Sequence, residues 1–144
     1  MKTVQQILRH KGSMVWSVTP ETMVYEALKL LAEKDVGALL VLEGGRLIGI
    51  ISERDYARKV VLKGKSALDT LVREIMTGRV MCVRPDQTVE ECMALVTEKR
   101  IRHLPVIVDD EVVGVVSIGD LVKATIDEKD FLIKQLENYI TGGR

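Results

Sequence analysis

An internal duplication constrains this chain of 144 residues more than any other feature of its sequence. A shift of 65 residues carries Pro20 onto Pro85, and no gap is needed from Val18 to Leu121. The shift pairs residues of the same character: Val24 with Val89, Leu39 with Leu104, Gly49 with Gly114, Ser52 with Ser117 and Asp55 with Asp120. One copy is too short to bury a stable core alone. We therefore expect the two copies to pack face to face about a pseudo-two-fold axis.

The apolar pattern predicts a β-α-β-β-α order in each copy, which makes the fold class α+β. In the first copy, the predicted strands are 14–18, 38–42 and 47–51, and the predicted helices are 22–34 and 53–62. In the second copy, the predicted strands are 80–83, 104–108 and 112–116, and the predicted helices are 89–98 and a segment from Asp120 onward. A short helical turn is predicted before each copy, over 4–8 and 72–76, and the stretch 63–70 is polar and reads as a connector.

The segment after the second copy has an amphipathic pattern of its own. Phe131, Leu132 and Leu136 recur at helical spacing within 126–140, and Gly142-Gly143 ends the pattern. An apolar stripe beyond the duplicated part must cover either the core or a second subunit. The expected division of the chain is therefore a first repeat over 8–66, a second repeat over 73–130, and a C-terminal helix and tail over 131–144.

Each copy carries a Ser-x-x-Asp corner, where an apolar strand pattern meets a helical one. The corners are Ser52 with Asp55 and Ser117 with Asp120. A helix start that carries a hydroxyl and a carboxylate offers free N–H groups to a phosphate and an acceptor to a sugar. The same residues also form a helix capping box. One copy alone would favour the cap, whereas two copies in matched frames favour ligand binding, and the two roles are compatible.

Composition argues against several classes of function. The net charge is zero and aromatic residues make up 3%, which disfavours nucleic-acid binding. No apolar run reaches membrane-spanning length and the N-terminus lacks a signal-peptide pattern, so we expect a cytoplasmic protein. Cys82 and Cys92 are not a CxxC pair and are expected to be buried free thiols. The two histidines lie 93 residues apart, which fits no metal-ligand spacing.

Taken together, the duplication, the repeated Gly-x-x-Ser-x-x-Asp and the connector resemble a pair of CBS domains, the Bateman module. The phrases that carry this resemblance are 36–39, 49–56 and 100–106, and 136–143 looks like the tail of stand-alone two-CBS proteins from bacteria and plant organelles. The resemblance covers essentially the whole chain. It implies a regulatory module that binds AMP, ADP, ATP or an NAD-like molecule between the repeats, with AMP as the first candidate. It also implies a homodimer and an unidentified regulated partner.

The resemblance assigns roles residue by residue. Asp55 and Asp120 would bind the ribose, and Ser52 and Ser117 would lie at the phosphates. Arg102 and His103 would reach the phosphate of the cleft around Asp55. The cleft around Asp120 would face Gly37 and Ala38, with Arg54 as its main cation and Lys11 as a further phosphate contact. The remaining assignments are Trp16 and Met81 as adenine contacts, and Gly119 as the uncharged counterpart of Arg54. Unequal affinity of the two clefts follows, with a possible preference for different phosphate lengths.

Other functions remain open from the sequence. The clefts of a dimeric adaptor could be vestigial, with the C-terminal helix docking a partner. An enzyme is disfavoured because the sequence shows no P-loop, metal constellation or nucleophile–base pair. The dimer faces expected from the resemblance are Tyr56 with Val60, Leu121 with Ala124, and the tail helix.

Overall fold

The structure of the protein is a computed structural model that describes residues 2–140. It has six helices and five strands within that range. In chain order they are α1 (Val4–Lys11), β1 (Ser17–Val18), α2 (Val24–Lys34), β2 (Ala38–Glu43), β3 (Arg46–Ser52), α3 (Glu53–Tyr56), α4 (Val72–Ile75), α5 (Val89–Lys99), β4 (His103–Val108), β5 (Glu111–Ser117) and α6 (Ile118–Ile140). A π-helical turn over Ala57–Val61 continues α3. The predicted α+β class is confirmed.

The two hairpins show that the duplication extends to the backbone. Strands β2 and β3 pair antiparallel, as do β4 and β5, and their bulges fall at Val41/Leu42 and Val106/Ile107, positions 65 residues apart. The first hairpin turns through Gly44 and Gly45, both with positive φ. The second hairpin turns through two aspartates with positive φ instead. Each hairpin therefore tolerates left-handed backbone with residues that adopt it readily.

Two of the predicted strands are wrong in extent. The strand expected over 14–18 is reduced to β1, which pairs in parallel with β2. The strand expected over 80–83 is absent from the described residues, because only Val83 forms a bridge, with Val106. Met81 and Cys82 are exposed and lack ladder partners. An apolar run with strong β-propensity becomes a strand only where a neighbouring strand pairs with it.

The short helices α1 and α4 cross over between the repeats. Helix α1 precedes the first repeat but packs on the second, where Val4 donates to the Gln87 carbonyl at 2.9 Å. Helix α4 precedes the second repeat but packs on the first, where Val72 donates to the Thr22 carbonyl at 2.8 Å. The bridges Thr3–Thr88 and Met23–Leu71 occupy matching positions. Each repeat is thus completed by a helix that the chain supplies from outside it.

The crossing helices complete two separate hydrophobic cores. Leu8 of α1 belongs to the core of the second repeat, and Ile75 of α4 belongs to the core of the first. Gly49 and Gly114 allow this close packing. A Cβ added at Gly49 would lie 2.7 Å from Met76 Sδ and 2.9 Å from the Thr77 carbonyl oxygen, and one added at Gly114 would lie 2.7 Å from Leu8 Cδ2.

The C-terminal helix is not a separate element. Helix α6 runs from the Ser117 corner to Ile140 without a break, so the division expected at residue 131 falls inside it. The predicted end at Gly142-Gly143 lies outside the described residues. Beyond Thr125 most apolar side chains of α6 are exposed, which agrees with an uncovered stripe: Ile126, Phe131, Leu132, Ile133, Leu136 and Tyr139.

Three residues of the expected dimer faces are buried within the chain itself. Val60, Leu121 and Ala124 are each at most 5% exposed, because they pack into the chain's own cores. They cannot contact a second subunit. Of the residues that were expected at a dimer face, Tyr56 is partly exposed and the part of α6 beyond Thr125 is largely exposed.

The thiols differ in environment and both are free. Cys92 is buried, as expected, and burial together with the charge of Glu91 raises its pKa to about 11. Cys82 is exposed, which corrects the expectation of a buried thiol, although partial burial still raises its pKa. Both thiols therefore stay protonated near neutral pH and are weak nucleophiles.

Within residues 2–140, none of the helices is long and apolar enough to cross a membrane.

Candidate functional site

Two clefts lie between the repeats, one beside each Ser-x-x-Asp corner. The larger, which we call the Asp55 cleft, has a volume of about 740 Å³ and is lined by Ser52, Asp55 and the 100–103 segment of the second repeat. The smaller, which we call the Asp120 cleft, has a volume of about 280 Å³. Lys11 and Ser117, which both contact Asp120, line it together with Trp16, Gly37 and Ala38 of the first repeat. Each cleft thus combines an acidic corner from one repeat with a segment of the other.

Asp55 is a buried helix cap as well as a candidate ligand. Ser52 Oγ accepts from the Asp55 N–H at 3.2 Å, and Asp55 Oδ2 accepts from the Ser52 N–H and hydroxyl, both at 3.0 Å. Asp55 Oδ1 accepts from Thr77 Oγ1 at 3.3 Å and pairs with Lys59 Nζ at 3.0 Å. The residue is only 8% exposed. Its carboxylate therefore has four donors, so a ribose would have to displace one, and Lys59, with 42% of its side chain exposed, is the easiest to displace.

The Asp55 cleft gathers positive charge from both repeats. Arg100, Arg102 and His103 line it, as the resemblance implied for the last two. Arg54 lines the same cleft, and its Nη1 donates to the Arg100 carbonyl at 3.5 Å. The expectation that Arg54 serves the Asp120 cleft is therefore wrong.

The Asp120 corner has the same cap but a different cation. The Ser117 N–H donates to Asp120 Oδ2 at 2.8 Å, and Lys11 Nζ pairs with the same oxygen at 2.7 Å and donates to the Val115 carbonyl at 3.0 Å. Burial by itself would raise the pKa of the Asp120 carboxyl. The hydrogen bonds from Lys11 and Ser117 and the charge of Lys11 outweigh burial and hold that pKa below its usual value. Gly119 lies beside Ser117, and an added Cβ would meet only Ser117 Oγ, at 3.6 Å.

From Val4 to Val18 the chain has three more residues than from Val72 to Val83, and the structure explains this difference. Helix α1 spans eight residues where its counterpart α4 spans four, and Gly12 ends α1 at φ 96°. The additional turn carries Lys11 to Asp120. In the other cleft the segment after α4 places Thr77 on Asp55 instead. Lys11 was expected to contact phosphate, but its ammonium group is engaged by a carboxylate and a carbonyl.

The candidate adenine contacts are only partly brought to the clefts. Trp16 lines the Asp120 cleft with Gly37 and Ala38, and Lys34 Nζ lies 4.3 Å from the centre of its ring. Met81, the counterpart of Trp16, is not among the described residues that line the Asp55 cleft, and it is exposed. The backbone explains this difference: Leu40 donates to the Trp16 carbonyl at 3.1 Å, whereas Pro105, the counterpart of Leu40, has no N–H to hold Met81 in the same way.

His103 lies between the two clefts and lines both. Burial lowers the pKa of His103 below its usual value. Lys11 and Arg102 lower that pKa further, and Asp120 opposes them. The imidazole is therefore neutral near pH 7 in the free protein and could gain a proton when an anion arrives.

Sequence reasoning missed several residues that the structure brings to the Asp55 cleft. Lys59 follows Asp55 by four positions, an ion-pair spacing on one helix that could have been recognised. Thr77 could not have been found this way, because it reaches Asp55 only through the crossover of α4. The other missed residues are Glu53, Arg58 and Arg100.

Among residues 2–140, His, Cys, Asp and Glu form no cluster suited to a metal ion.

The geometry defines a class of protein: a duplicated module with paired clefts between its repeats. The family model for the CBS domain matches the chain twice, over residues 12–62 and 72–127. The chain therefore belongs to the CBS-domain family, and it holds two CBS repeats, as the sequence resemblance implied.

Known proteins agree with this assignment. The chain is 41% identical to the CBS domain-containing protein CBSX3, mitochondrial, of Arabidopsis thaliana, covering 98% of this chain and 73% of that protein. A solved CBS-domain structure from Burkholderia ambifaria is 53% identical, with a TM-score of 0.86, over 88% of this chain and 95% of that one. CBSX2, solved in complex with AMP, is 28% identical, with a TM-score of 0.73, over 90% of this chain and 99% of that one. The cytoplasmic location expected from the sequence stays a prediction.

Proposed function

We propose that this chain is a regulatory module that binds an adenosine nucleotide between its CBS repeats and passes the occupancy to a partner protein. The candidates are AMP, ADP, ATP and NAD-like molecules, with AMP first because CBSX2 binds it. One observation carries the proposal: the Asp55 cleft joins a capped helix start of the first repeat to Arg100 and Arg102 of the second. Such a site binds sugar and phosphate at once.

Contact with both repeats gives the ligand a way to act on the protein. A nucleotide that binds Asp55 and Arg102 together stabilises only the arrangement in which the repeats are packed. At a concentration of 100 times Kd this linkage amounts to about 2.7 kcal/mol. A partner that senses the packing of the repeats would thus sense the nucleotide.

Calorimetric titration tests the proposal. ATP, ADP and AMP are titrated separately into nucleotide-free protein, and at least one should bind. Arg102→Gln removes a cleft cation that is exposed and should weaken binding by roughly 10-fold or more. Arg46→Gln is the matched control, because Arg46 is an exposed arginine at the first hairpin, outside both clefts. Absence of binding by all three nucleotides contradicts the proposal.

The proposed role is non-catalytic. Asp55 and Asp120 serve as helix caps and ion-pair partners, and none of the hydrogen bonds described for their carboxylates comes from His103. Chromatography of ATP, ADP and AMP after long incubation with pure protein should show no conversion. Conversion that disappears in the Asp120→Asn variant would restore an enzymatic role.

A dimeric adaptor with vestigial clefts is the second candidate. The saturated carboxylate of Asp55 favours it, since all four donors come from the chain itself. This candidate predicts a melting temperature that no adenosine nucleotide changes. The regulatory proposal predicts a rise with at least one of them.

We also propose that the protein is a homodimer. The support is the exposed apolar stripe of α6, in which Leu132 and Leu136 are 54% and 63% exposed. Exposed contiguous apolar surface on a globular protein often marks an interface.

A further inference from the structure

We propose that the two clefts sort adenosine ligands by charge: the Asp55 cleft binds a nucleoside polyphosphate, and the Asp120 cleft binds an uncharged adenine nucleoside. This inference rests on the proposed function and assigns each cleft its own ligand class. The inference comes from a comparison of the residues that occupy equivalent positions, 65 residues apart, in the two repeats.

Most cationic residues that line the Asp55 cleft have an uncharged or acidic residue at the equivalent position of the other repeat. Arg100 and Asp35 both end a helix in the left-handed conformation, with φ of 54° and 52°, yet carry opposite charges. Four further basic residues of the Asp55 cleft have an uncharged residue 65 positions away in the other repeat. With the basic residue first, these pairs are Arg102 and Gly37, His103 and Ala38, Arg54 and Gly119, and Lys59 and Ala124. Lys123, the counterpart of Arg58, keeps its charge but is not among the described residues that line the Asp120 cleft.

The two clefts therefore differ in the number of charged side chains that line them. Five basic side chains and two acidic ones line the Asp55 cleft: Arg54, Arg58, Lys59, Arg100 and Arg102, against Glu53 and Asp55. Lys11 and Asp35 are the charged residues that line the Asp120 cleft, apart from His103, and Lys11 is already paired with Asp120. A triphosphate is therefore attracted to the first cleft, whereas the second has no free cation among its described lining residues to hold one.

Size and polarity point the same way. The Asp55 cleft, at about 740 Å³, has room for a nucleotide with its phosphates, and the Asp120 cleft, at about 280 Å³, lies near the lower limit of small-molecule sites. Its walls are largely apolar, with Val15, Trp16, Val36 and Leu40. These side chains suit a purine ring. Asp120 does not itself line this cleft, but it contacts Lys11 and Ser117, which do, and 23% of its side chain is exposed to accept from ribose hydroxyls. An adenosine fits this combination of wall and acceptor.

Calorimetry with ATP and adenosine as probes tests the sorting. We expect the wild-type chain to bind one ATP, and to bind one adenosine equally well whether or not ATP is present. Raising the salt concentration should weaken the binding of ATP and leave that of adenosine unchanged. Adenosine that competes with ATP for one site, or two ATP molecules bound with similar affinity, overturns the inference while leaving the proposed function intact. Binding of neither probe contradicts the proposed function itself.

Two exchanged variants identify the clefts. Arg100→Asp with Arg102→Gly gives the Asp55 cleft the residues of its counterpart and should weaken ATP binding by about 100-fold without affecting adenosine. Asp35→Arg makes the reverse change at a position that lines the Asp120 cleft and not the Asp55 cleft, and it should raise the affinity of the Asp120 cleft for AMP.

Glu98→Arg is the control for added charge, because it changes the same number of charges as Asp35→Arg on the exposed side of α5. It should leave both ligands unaffected. If the first exchanged variant weakens adenosine binding as much as ATP binding, the two ligands share a cleft and the inference is wrong. That result can be read even if the second exchanged variant does not fold.

Discussion

Lys11 Nζ lies 2.7 Å from Asp120 Oδ2, so an ammonium group that precedes the first repeat neutralises the carboxylate at the helix start of the second. The pair exists because α1 crosses to the second repeat and is one turn longer than α4. It connects the crossover of the chain with the electrostatics of one cleft.

The first prediction concerns stability in acid. The pKa of Asp120 is held below its usual value of 3.8, so the ion pair contributes stability above that pH and loses it as the pH falls further. Lys11→Met should lower the free energy of unfolding at neutral pH by up to about 1 kcal/mol and reduce its loss between about pH 5 and about pH 2. Urea unfolding at stepped pH measures both. Lys29→Met, at an exposed pair with Glu26, is the control and should change little. An unchanged pH profile for Lys11→Met contradicts the prediction.

The second prediction concerns the pH dependence of nucleotide binding. In the free chain the pKa of His103 is lowered by burial and by Lys11 and Arg102, so a phosphate beside it favours the protonated form. Binding of ATP should therefore take up a proton and strengthen as the pH falls from about 7.5 to about 6. Calorimetry in buffers of different ionisation enthalpy counts the proton.

His103→Gln should remove this proton uptake, whereas His10→Gln, at an exposed position on α1, should retain it. Uptake that persists in the His103 variant would assign the proton to another group.

The third prediction uses an asymmetry between equivalent helices. Thr88 caps α5 and accepts from the Glu91 N–H at 3.1 Å, but Met23 occupies the same position before α2 and provides no side-chain cap. Met23 has the extended backbone that a cap requires, with φ −69° and ψ 144°. Met23→Thr should therefore stabilise the chain by about 1 kcal/mol.

Thermal unfolding should show a rise of roughly 3 °C for Met23→Thr. The reverse change, Thr88→Met, should lower the melting temperature by a similar amount. The explanation fails if both changes shift it in the same direction.

The fourth prediction concerns two equivalent glycines. A Cβ at Gly49 would press on the Thr77 backbone carbonyl, which accepts from the Ile50 N–H, whereas one at Gly114 would press only on the end of the Leu8 side chain. Gly49→Ala should cost about 1–3 kcal/mol and Gly114→Ala clearly less. Chemical denaturation compares them. Equal losses would mean that the backbone contact is not the decisive one.

The fifth prediction concerns assembly. Leu132 and Leu136 are exposed one turn apart on α6, so the double change to glutamine should convert a dimer of twice 16.1 kDa to a monomer. Light scattering after size-exclusion chromatography gives the mass. Lys134→Gln, on the same turn, should remain dimeric. A monomeric wild-type chain would remove the homodimer proposal.

Local sequence patterns predicted the repeats well because helices, hairpins and caps depend on neighbouring residues. Ser52 and Ser117 cap their helices as the spacing indicates, and the hairpins lie where the glycines or aspartates tolerate positive φ. The strand expected over 80–83 failed although β4 lies beside it. Leu40 donates its N–H to the Trp16 carbonyl in the first repeat, but Pro105 at the equivalent position has no N–H to donate to Met81.

The sequence pattern could not predict which repeat a helix packs on or which cleft a side chain faces. Nothing in the spacing shows that α1 packs on the second repeat, so neither the position of Lys11 on Asp120 nor that of Thr77 on Asp55 could be predicted. Arg54 was assigned to the wrong cleft for a related reason. Its spacing from Asp55 fixes its helix, but the cleft it faces depends on how the two repeats meet.

The crossover of α1 also has a consequence for biosynthesis. The first eleven residues leave the ribosome long before the strands on which they dock, since Leu8 packs against Gly114. The first repeat receives its own missing helix soon after its strands are made, because only α3, the π-helical turn and the connector lie between β3 and α4. The second core must wait until β5 and the first turns of α6 have been synthesised, and it closes by joining Val4 and Leu8 to Val116 and Leu121, far along the sequence.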